Sequence, residues 1–400
     1  MLHPRLLVVL GIWSCYAIAP SFRPEAVRAS SPTETRGAAG AVVELVIREP
    51  ADSSRRPAAT PYRQFEGPLN VLEERLFADA SDGRWDEHSL LAAALVASGV
   101  EDRGRMDGYI ARVAGLAGEL RDSMAVTGTV RQEAQAVLEF LHRRVLHGGY
   151  QIDCTDLRIA LDEGRFNCVS ASVLFNCIAE QFGLQVQGLE VPGHAMSRLV
   201  LPEGVLDVET TCPSWFRLLD DPKKQAALVA KTLGIPRGGS ETPAERRVVS
   251  AVELVATIYY NRGVDLLGQR GFAEAVSANA KALRLDPFSG TAHGNLLASL
   301  NNWAIAMGSE RRYAEAVEIL ERGLTLDAAY PTFKTNYLHV HHQWIEDLCG
   351  KQRFDEAADL LDRAAWARLD EDWFRQARIE VQGRRARSNL AGSRLTPLRP

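Results

Sequence analysis

Hydrophobic residues recur at helical spacing along the first part of the chain. Two apolar stripes, each on one face of a helix, are formed by Leu69, Leu72, Leu76 and Phe77 and by Leu90, Leu91, Ala94 and Leu95. A longer amphipathic stretch covers residues 130–146 and stops at Gly148-Gly149, a pair that favours a helix end. We therefore predict a domain that starts near residue 62 with several helices.

The pattern then changes to that of β-strands. Three apolar runs of strand length cover residues 184–191, 195–201 and 205–211. They are separated by Pro192-Gly193 and by Pro202-Glu203-Gly204, so we predict a small antiparallel sheet. Helices followed by such a sheet indicate the α+β class. The proline- and glycine-rich loop over 236–243 indicates a domain boundary.

Beyond this loop the chain repeats itself at a step of 41 residues. The repeated segments, in which an aromatic residue precedes Ala-Glu-Ala or Asp-Glu-Ala, begin at Phe272, Tyr313 and Phe354. Asn295 and Trp303 return at the same step as Asn336 and Trp344. Small residues at fixed positions let paired helices approach closely, and one such pair cannot bury its apolar face alone. The sequence therefore predicts a stack of helix pairs.

Over residues 250–378 this repeat resembles the tetratricopeptide repeat (TPR). The aromatic, small and proline positions of that pattern are occupied in the first copy by Tyr259, Gly263, Phe272, Ala275, Ala282 and Pro287. The later copies depart from the usual step of about 34 residues by a longer first helix. The resemblance implies an all-α, TPR-like solenoid that binds a protein or peptide partner.

One predicted helix carries a cysteine where nucleophilic chemistry is favoured. Asn167 is a preferred N-cap residue, so Cys168 lies in the first turn of a helix that ends at Gly183. The helix dipole favours negative charge there, and the first N–H groups lack helical partners. Both effects suit a thiolate nucleophile and a developing oxyanion. Cys177, late in the same helix, is predicted to be a buried core cysteine.

A thiol nucleophile needs a base, and His194 is the best candidate. It follows Pro192-Gly193 at the entry of a predicted strand. The next hairpin is predicted to turn near residues 203–204, so that residues whose numbers sum to about 407 face each other. Asp207 and Glu209 then share a face with His194. Glu209 is one cross-strand pair closer and is preferred as the third residue, with Asp207 as the alternative.

Together these residues resemble the transglutaminase-like branch of the papain-like cysteine superfamily. The similarity is carried by Asn167-Cys168, Gly183-Leu184, His194-Ala195 and Glu209-Thr210-Thr211. Over residues 137–211 it is most similar to a bacterial subgroup that joins this fold to TPR repeats. The resemblance implies a helix-rich transglutaminase-like domain over 62–235. It also implies that Cys168, His194 and Glu209 act as nucleophile, base and orienting acid.

This resemblance leaves two functions open. The first is acyl transfer on an amide through a cysteine thioester, which covers peptidase or amidase activity, deamidation and transamidation. The alternative is a catalytically inactive transglutaminase-like fold that serves, with its TPR array, as a scaffold for protein interaction. Neither the substrate nor the acceptor is indicated by the sequence.

No cofactor or metal site is predicted. His339, His341 and His342 lie on a repeat helix with no cysteine or carboxylate at ligand spacing. Gly238-Gly239 lies in a loop rather than after a strand, and no phosphate loop or dinucleotide fingerprint is present. With 46 Lys and Arg against 51 Asp and Glu the net charge is −5, which argues against a nucleic-acid partner.

The two ends of the chain carry further signals. An apolar run over 6–19 behind Arg5 is shorter than the roughly 20 residues of a membrane span and favours a signal peptide or an uncleaved membrane anchor over 1–29. Residues 30–61 are predicted to be a linker and 379–400 a basic tail. We expect an exported (periplasmic or extracytoplasmic) protein that meets a membrane only through an uncleaved N-terminal segment.

Overall fold

The computed structural model describes residues 47–48, 61–124, 128–191, 193–221, 223–225, 227, 246–364 and 366–393. These residues are mostly helical, with one five-stranded sheet and one separate pair of short strands. The predicted α+β class is confirmed. The described residues form two compact units. We call Asn70–Ile258, with residues 47–48, the cysteine unit, and residues 61–69 with 259–393 the repeat unit.

Helices form most of the cysteine unit. They are α1 (Val71–Asp79), α2 (Leu90–Ala97), α3 (Arg103–Ser123), α4 (Val130–Arg144), α5 (Leu157–Glu163) and α6 (Cys168–Gln181). Capping boxes at Asn70 and Thr129 fix the starts of α1 and α4. Every residue of α6 from Cys168 to Ala179 is buried, so this helix is enclosed on all sides by the rest of the unit.

The strands place a hairpin beside α6. They are β1 (Ile47–Arg48), β2 (Gly149–Tyr150), β3 (Arg165–Phe166), β4 (Val186–Val191), β5 (His194–Leu201), β6 (Gly204–Val208) and β7 (Arg246–Val249). The five-stranded sheet has the order β1-β7-β4-β5-β6. All neighbours in it are antiparallel except β1 and β7. The small antiparallel sheet predicted from the strand pattern is thus present.

The hairpin of β5 and β6 turns earlier than predicted. Leu201 pairs with Gly204 and Ser197 with Val208, so paired residue numbers sum to 405, whereas the sequence predicted about 407. The turn consists of Pro202 and Glu203, because proline has no N–H for the ladder and its fixed φ suits a turn. A shift of two residues keeps every side chain on its predicted face, since side chains alternate with a period of two. It brings the residues after β6 closer to the start of β5.

A short parallel pair of strands precedes α6. β2 pairs with β3, with Tyr150 opposite Phe166, and α5 lies in the connection between them. The chain approaches itself closely here, because a Cβ on Gly148 would lie 2.5 Å from the carbonyl oxygen of Glu163. This pairing places residue 150 next to the segment that enters α6.

The repeat unit consists of paired helices. They are α7 (Ala251–Gly268), α8 (Phe272–Leu285), α9 (Gly290–Ser309), α10 (Tyr313–Leu326), α11 (Pro331–Gly350), α12 (Phe354–Asp362) and a longer α13 (Glu371–Ser393). The boundary between the two units falls inside α7, after Ile258. As predicted, the second helix of each pair begins at the repeated aromatic residue. The expected close approach is also present, since a Cβ on Gly323 would lie 2.5 Å from the ring of Phe333.

The same strained turn joins the two helices of each pair. Arg270, Arg311 and Gln352 have φ angles of 64°, 62° and 62°, in the left-handed region. In each turn two N–H groups bond back to the preceding helix as in a Schellman motif, for example Arg353 N to Leu348 O at 2.9 Å. A side chain in this conformation costs about 1–2 kcal/mol. The repeat therefore accepts the same strain at three equivalent positions.

A segment from the N-terminal side packs within the repeat unit. Residues 61–69, here called the docked segment, contain a 3₁₀ turn over Arg63–Phe65 and contact α8 and α10. Phe65 is 4% exposed, and the guanidinium of Arg322 lies 4.8 Å from its ring centroid. The sequence had assigned 62–69 to the cysteine domain, but their apolar and charged side chains find their partners on the repeat helices.

Polar contacts hold the docked segment in one register. Glu66 forms an ion pair with Arg284 (Oε2 to Nη1, 2.9 Å), and both side chains are less than one-fifth exposed. The Ser277 hydroxyl donates to the Glu66 carbonyl oxygen. Gly67 has a φ of 68°, and a Cβ there would lie 3.2 Å from Ser277 Oγ. The backbone conformation therefore favours glycine at this point, and a Cβ would also be a tight contact for the Ser277 side chain.

The C-terminal residues also differ from the prediction. Residues 379–393, which were expected in a basic tail, continue α13. Arg384 pairs with Glu346 on α11 at 2.7 Å, and Arg385 pairs with Asp355 on α12 at 2.8 Å. These basic side chains thus form ion pairs with carboxylates of neighbouring helices. The charge pattern of this end of the chain did not predict those pairs.

The predicted leader over 1–29 lies outside the described residues, as does most of the predicted linker over 30–61. The exceptions are residue 61 and Ile47–Arg48, which form β1 and pair with β7. None of the helices in the described part of the chain is long and apolar enough to cross a membrane.

Candidate active site

The loop before α6 and the first turn of that helix position Cys168. The Oδ1 atom of Asn167 accepts hydrogen bonds from the N–H groups of Val169 (2.9 Å) and Ser170 (3.1 Å). Its Nδ2 donates to Thr155 Oγ1 at 2.6 Å, which ties the cap to the loop before α5. The N–H of Cys168 itself has no hydrogen-bond partner among the described residues. Cys168 is 8% exposed, so its thiol and its unpaired backbone N–H lie close together at a nearly buried position.

His194 and Glu209 meet as a buried pair beside this cysteine. His194 Nε2 lies 2.7 Å from Glu209 Oε2, and both side chains are fully buried. If the β5–β6 register is continued past β6, Glu209 is diagonal to His194, within reach of a long side chain. The earlier turn of the hairpin is what gives Glu209 this position.

Asp207, the alternative third residue, is engaged elsewhere. It accepts from Arg198 Nε at 2.7 Å, directly across the hairpin, and from Arg246 Nη1 on β7 at 2.7 Å. Its carboxylate thus serves two guanidinium groups and does not bond to His194. The geometry therefore separates the two carboxylates that the sequence left open, and Glu209 is the one that contacts the imidazole.

The backbone after Glu209 is held by polar side chains from two helices. The second carboxylate oxygen of Glu209 accepts from the N–H (3.0 Å) and the hydroxyl (2.6 Å) of Thr211. Thr210 Oγ1 bonds to Ser172 on α6 at 2.8 Å, and the Thr210 carbonyl lies 2.9 Å from His142 Nε2 on α4. Burial lowers the pKa of His142, which favours the neutral ring in this role. These contacts fix the carboxylate in one orientation.

The charge of the imidazole depends on both of its neighbours. Burial lowers the pKa of His194, but interactions with the neighbouring Cys168 and Glu209 side chains and the negative charges of both raise it, to about 10 overall. Within the described part of the protein, Nδ1 has no hydrogen-bond partner. With Nε2 directed at Glu209, Nδ1 is the nitrogen left for the thiol proton.

Tyr150 is a site residue that the sequence did not identify. Its hydroxyl lies near Cys168: burial and the negative charges of Cys168 and Glu209 raise the pKa of Tyr150. The ring packs edge-on against Phe166 at 6.0 Å, and Phe166 in turn contacts His142 at 5.5 Å. Strands of only two residues carry no hydrophobic period, so the sequence offered no signal for this placement.

The other described cysteines differ from Cys168. Cys154, Cys177, Cys212 and Cys349 are buried and form no disulfide with one another. Burial raises the pKa of Cys177 well above its ordinary value, as expected for the core cysteine that the sequence predicted. Of the three histidines of the repeat helix, His341 is a core residue whose Nδ1 lies 2.9 Å from the Tyr337 carbonyl. The described residues contain no group of three His, Cys, Asp or Glu side chains that could hold a metal ion.

His194 contacts the Glu209 carboxylate at 2.7 Å on one side and has the Cys168 thiol as a neighbour, so the three groups form a series of thiol, imidazole and carboxylate. Such a series can deprotonate the thiol, hold the resulting imidazolium and return its proton to a leaving group.

Comparison with known proteins gives no match: no family model, curated protein or solved structure is significantly similar to this chain.

Proposed function

We propose that the protein performs thiol-dependent acyl chemistry on an amide, as a peptidase, amidase or transamidase. The observation that carries this proposal is the buried contact of 2.7 Å between His194 and Glu209, next to Cys168 at a helix N-terminus. Nδ1 of His194 has no hydrogen-bond partner in the described structure, and Nε2 bonds to a carboxylate, whereas the core histidine His341 bonds only to a backbone carbonyl. A fully buried imidazole with a free nitrogen beside a thiol suits a base.

Each residue has a definite task in this chemistry. Cys168 gives its proton to Nδ1 of His194, and its sulfur attacks the carbonyl carbon, so that a C–S bond forms and the π electrons move to oxygen. When the carbonyl re-forms, the C–N bond breaks and the amine leaves with the proton of His194. The thioester is then attacked by water or an amine, whose proton passes to His194, and the C–S bond breaks to regenerate Cys168. Glu209 stabilises the imidazolium throughout.

The proposal includes the relationship that the sequence suggests. A transglutaminase-like cysteine domain joined to a TPR-like array would use the cysteine unit for catalysis and the repeat unit to recruit a protein partner. The docked segment supports the second part, because α8 and α10 already hold a short peptide through an aromatic anchor and a buried ion pair. Hydrolysis is favoured over transamidation, since water needs no second binding site.

The proposal is tested by labelling the full chain with a broad cysteine-directed electrophile and mapping the modified residue. We expect Cys168 to react first at neutral pH, because it alone among the described cysteines lies against a base that can take its proton. His194→Ala should abolish this preference. His339→Ala is the matched control, since that histidine is exposed and lies on α11.

Two results would contradict the proposal. One is label spread evenly over Cys154, Cys212 and Cys349 with Cys168 unmodified. The other is a Cys168 that reacts equally fast in the wild type and in His194→Ala, which would favour the inactive scaffold as the function.

A further inference from the structure

Acyl transfer by a cysteine needs donors for the oxygen that becomes negative. The N–H of Cys168 is one, because Asn167 Oδ1 already occupies the next two N–H groups of α6 and leaves this one free in the described structure. The fully buried ring of His194, with its unpaired Nδ1, faces the same thiol. A single backbone donor is weaker than the pair of donors that stabilises most tetrahedral intermediates.

Tyr150 lies where a second donor is needed. The parallel pairing of β2 with β3 sets Tyr150 opposite Phe166, two residues before Cys168. Gln151 N bonds to Phe166 O at 2.8 Å, which fixes the backbone next to the tyrosine. The ring is held edge-on by Phe166, and the hydroxyl lies near Cys168.

The protonation state of Tyr150 suits a donor. Burial and the nearby negative charges of Cys168 and Glu209 raise the pKa of the phenol above its ordinary value. The hydroxyl therefore keeps its proton over the whole range in which His194 acts, and it is available to donate to an oxyanion but not to act as a base.

We infer that the Tyr150 hydroxyl and the Cys168 N–H form an oxyanion-binding site for the tetrahedral intermediate of an acyl substrate, with Tyr150 as a catalytic residue. In the resting state the hydroxyl lies near the thiol. As the C–S bond forms, the π electrons of the substrate carbonyl move to oxygen, and the hydroxyl donates a hydrogen bond to that oxygen without giving up its proton. This inference rests on the proposed acyl chemistry.

The test compares two reactions of the same thiol in the full-length Tyr150→Phe variant. Acylation by p-nitrophenyl acetate passes through an oxyanion, whereas alkylation by iodoacetamide does not. Loss of one oxyanion donor typically slows acyl transfer by about 10²–10³-fold, so the burst of nitrophenolate should slow to that degree while the alkylation rate stays unchanged. Tyr109→Phe is the matched control, because its hydroxyl bonds to Asp162 at 2.6 Å in the same unit.

The possible outcomes separate this inference from the proposed function. Unchanged acylation in Tyr150→Phe would overturn the role of Tyr150, and so would an equal slowing of both reactions, which indicates a merely structural tyrosine. Faster alkylation would also overturn it, because the hydroxyl would then be a cover over the thiol. If the burst persists in Cys168→Ala, the proposed acyl chemistry itself fails.

Discussion

The two units of this protein differ in the sequence separation of the contacts that hold them together. In the repeat unit, helices that follow each other in the chain pack together, and the same aromatic, small and strained residues return every 41 positions. In the cysteine unit, the central contacts join residues far apart in sequence, such as His142 with Thr210. The helix pairs of the repeat unit are therefore specified by local periodicity, whereas the site depends on the register of strands.

This difference predicts how each unit responds to substitution. A change in the repeat unit should alter stability, since its described contacts are packing, ion pairs and turns. A change at Glu209 or Tyr150 should alter the chemistry of one thiol, because these side chains converge on Cys168 and His194. Free buried thiols in both units allow the two responses to be measured separately in one chain, with Cys177 and Cys349 as reporters.

The largest effect is expected from Glu209→Gln. Glutamine keeps the shape and a carbonyl acceptor for Thr211, but it removes the negative charge that stabilises the imidazolium of His194. In enzymes with a comparable triad the equivalent change costs about 10⁴-fold in turnover. We expect the alkylation rate of Cys168 at neutral pH to fall by on the order of 10²-fold or more, measured by mass spectrometry against time.

Asp207→Asn is the matched control for this prediction. Asp207 is a carboxylate on the same hairpin, but it bonds to Arg198 and Arg246. Its replacement should leave the reactivity of Cys168 unchanged. If Asp207→Asn abolishes the reactivity of Cys168 and Glu209→Gln does not, Asp207 and not Glu209 is the third residue.

The contrast between the units also explains what the sequence could predict. The starts of α8, α10 and α12 follow from a repeated aromatic residue, and the N-terminal position of Cys168 follows from a local capping signal at Asn167. The strands of the hairpin follow from their apolar period. Each of these features is encoded within a few residues, so each was accessible without the structure.

Features set by contacts between distant segments were not accessible. The sequence preferred Glu209 to Asp207, but it predicted a strand register that was two residues out, so the diagonal position of Glu209 beside His194 was not predicted. Tyr150 reaches Cys168 through a parallel pair too short to leave a pattern. The docked segment was assigned to the wrong unit, because no sequence pattern near Glu66 predicts its ion pair with Arg284.

A smaller effect, confined to the repeat unit, is expected from Arg284→Met. The change leaves the buried carboxylate of Glu66 without its partner, and one oxygen of that group already has no hydrogen bond within the described structure. Breaking a buried ion pair on one side costs about 3–5 kcal/mol. Cys349 should become accessible to alkylation at a clearly lower urea concentration in this variant than in the wild type. Cys177 should become accessible at the same urea concentration in both proteins.

The exposed ion pair of Arg312 with Glu315 supplies the control. Both side chains are about half exposed, so Arg312→Met should leave the urea midpoint at Cys349 almost unchanged. Equal shifts in both variants would show that the docked segment adds nothing specific to the unit. A shift at Cys177 as large as that at Cys349 would contradict the separation of the two units.

A pH-dependent effect is expected in the cysteine unit. The pKa of His194 is raised to about 10 in the folded protein, above the unfolded value of about 6.5. The stabilisation is therefore complete below about pH 6.5 and is lost as the pH rises through 10. The urea midpoint of the cysteine unit is measured by the alkylation of Cys177. At pH 6 this midpoint should be higher in the wild type than in Glu209→Gln, and the difference should become smaller as the pH is raised to 10. A difference that grows with pH would contradict the raised pKa.

The smallest effect tests the repeated turn. Gln352 has a φ of 62°, a conformation in which a side chain costs about 1–2 kcal/mol and glycine does not. Glycine also loses more conformational freedom on folding, by roughly 0.5–1 kcal/mol. We therefore expect Gln352→Gly to stabilise the repeat unit by about 0.5–1 kcal/mol, seen as a higher urea midpoint at Cys349. Gln352→Ala keeps the Cβ and should give no gain. Equal midpoints for the two variants would mean that the turn relaxes its strain through the neighbouring helices.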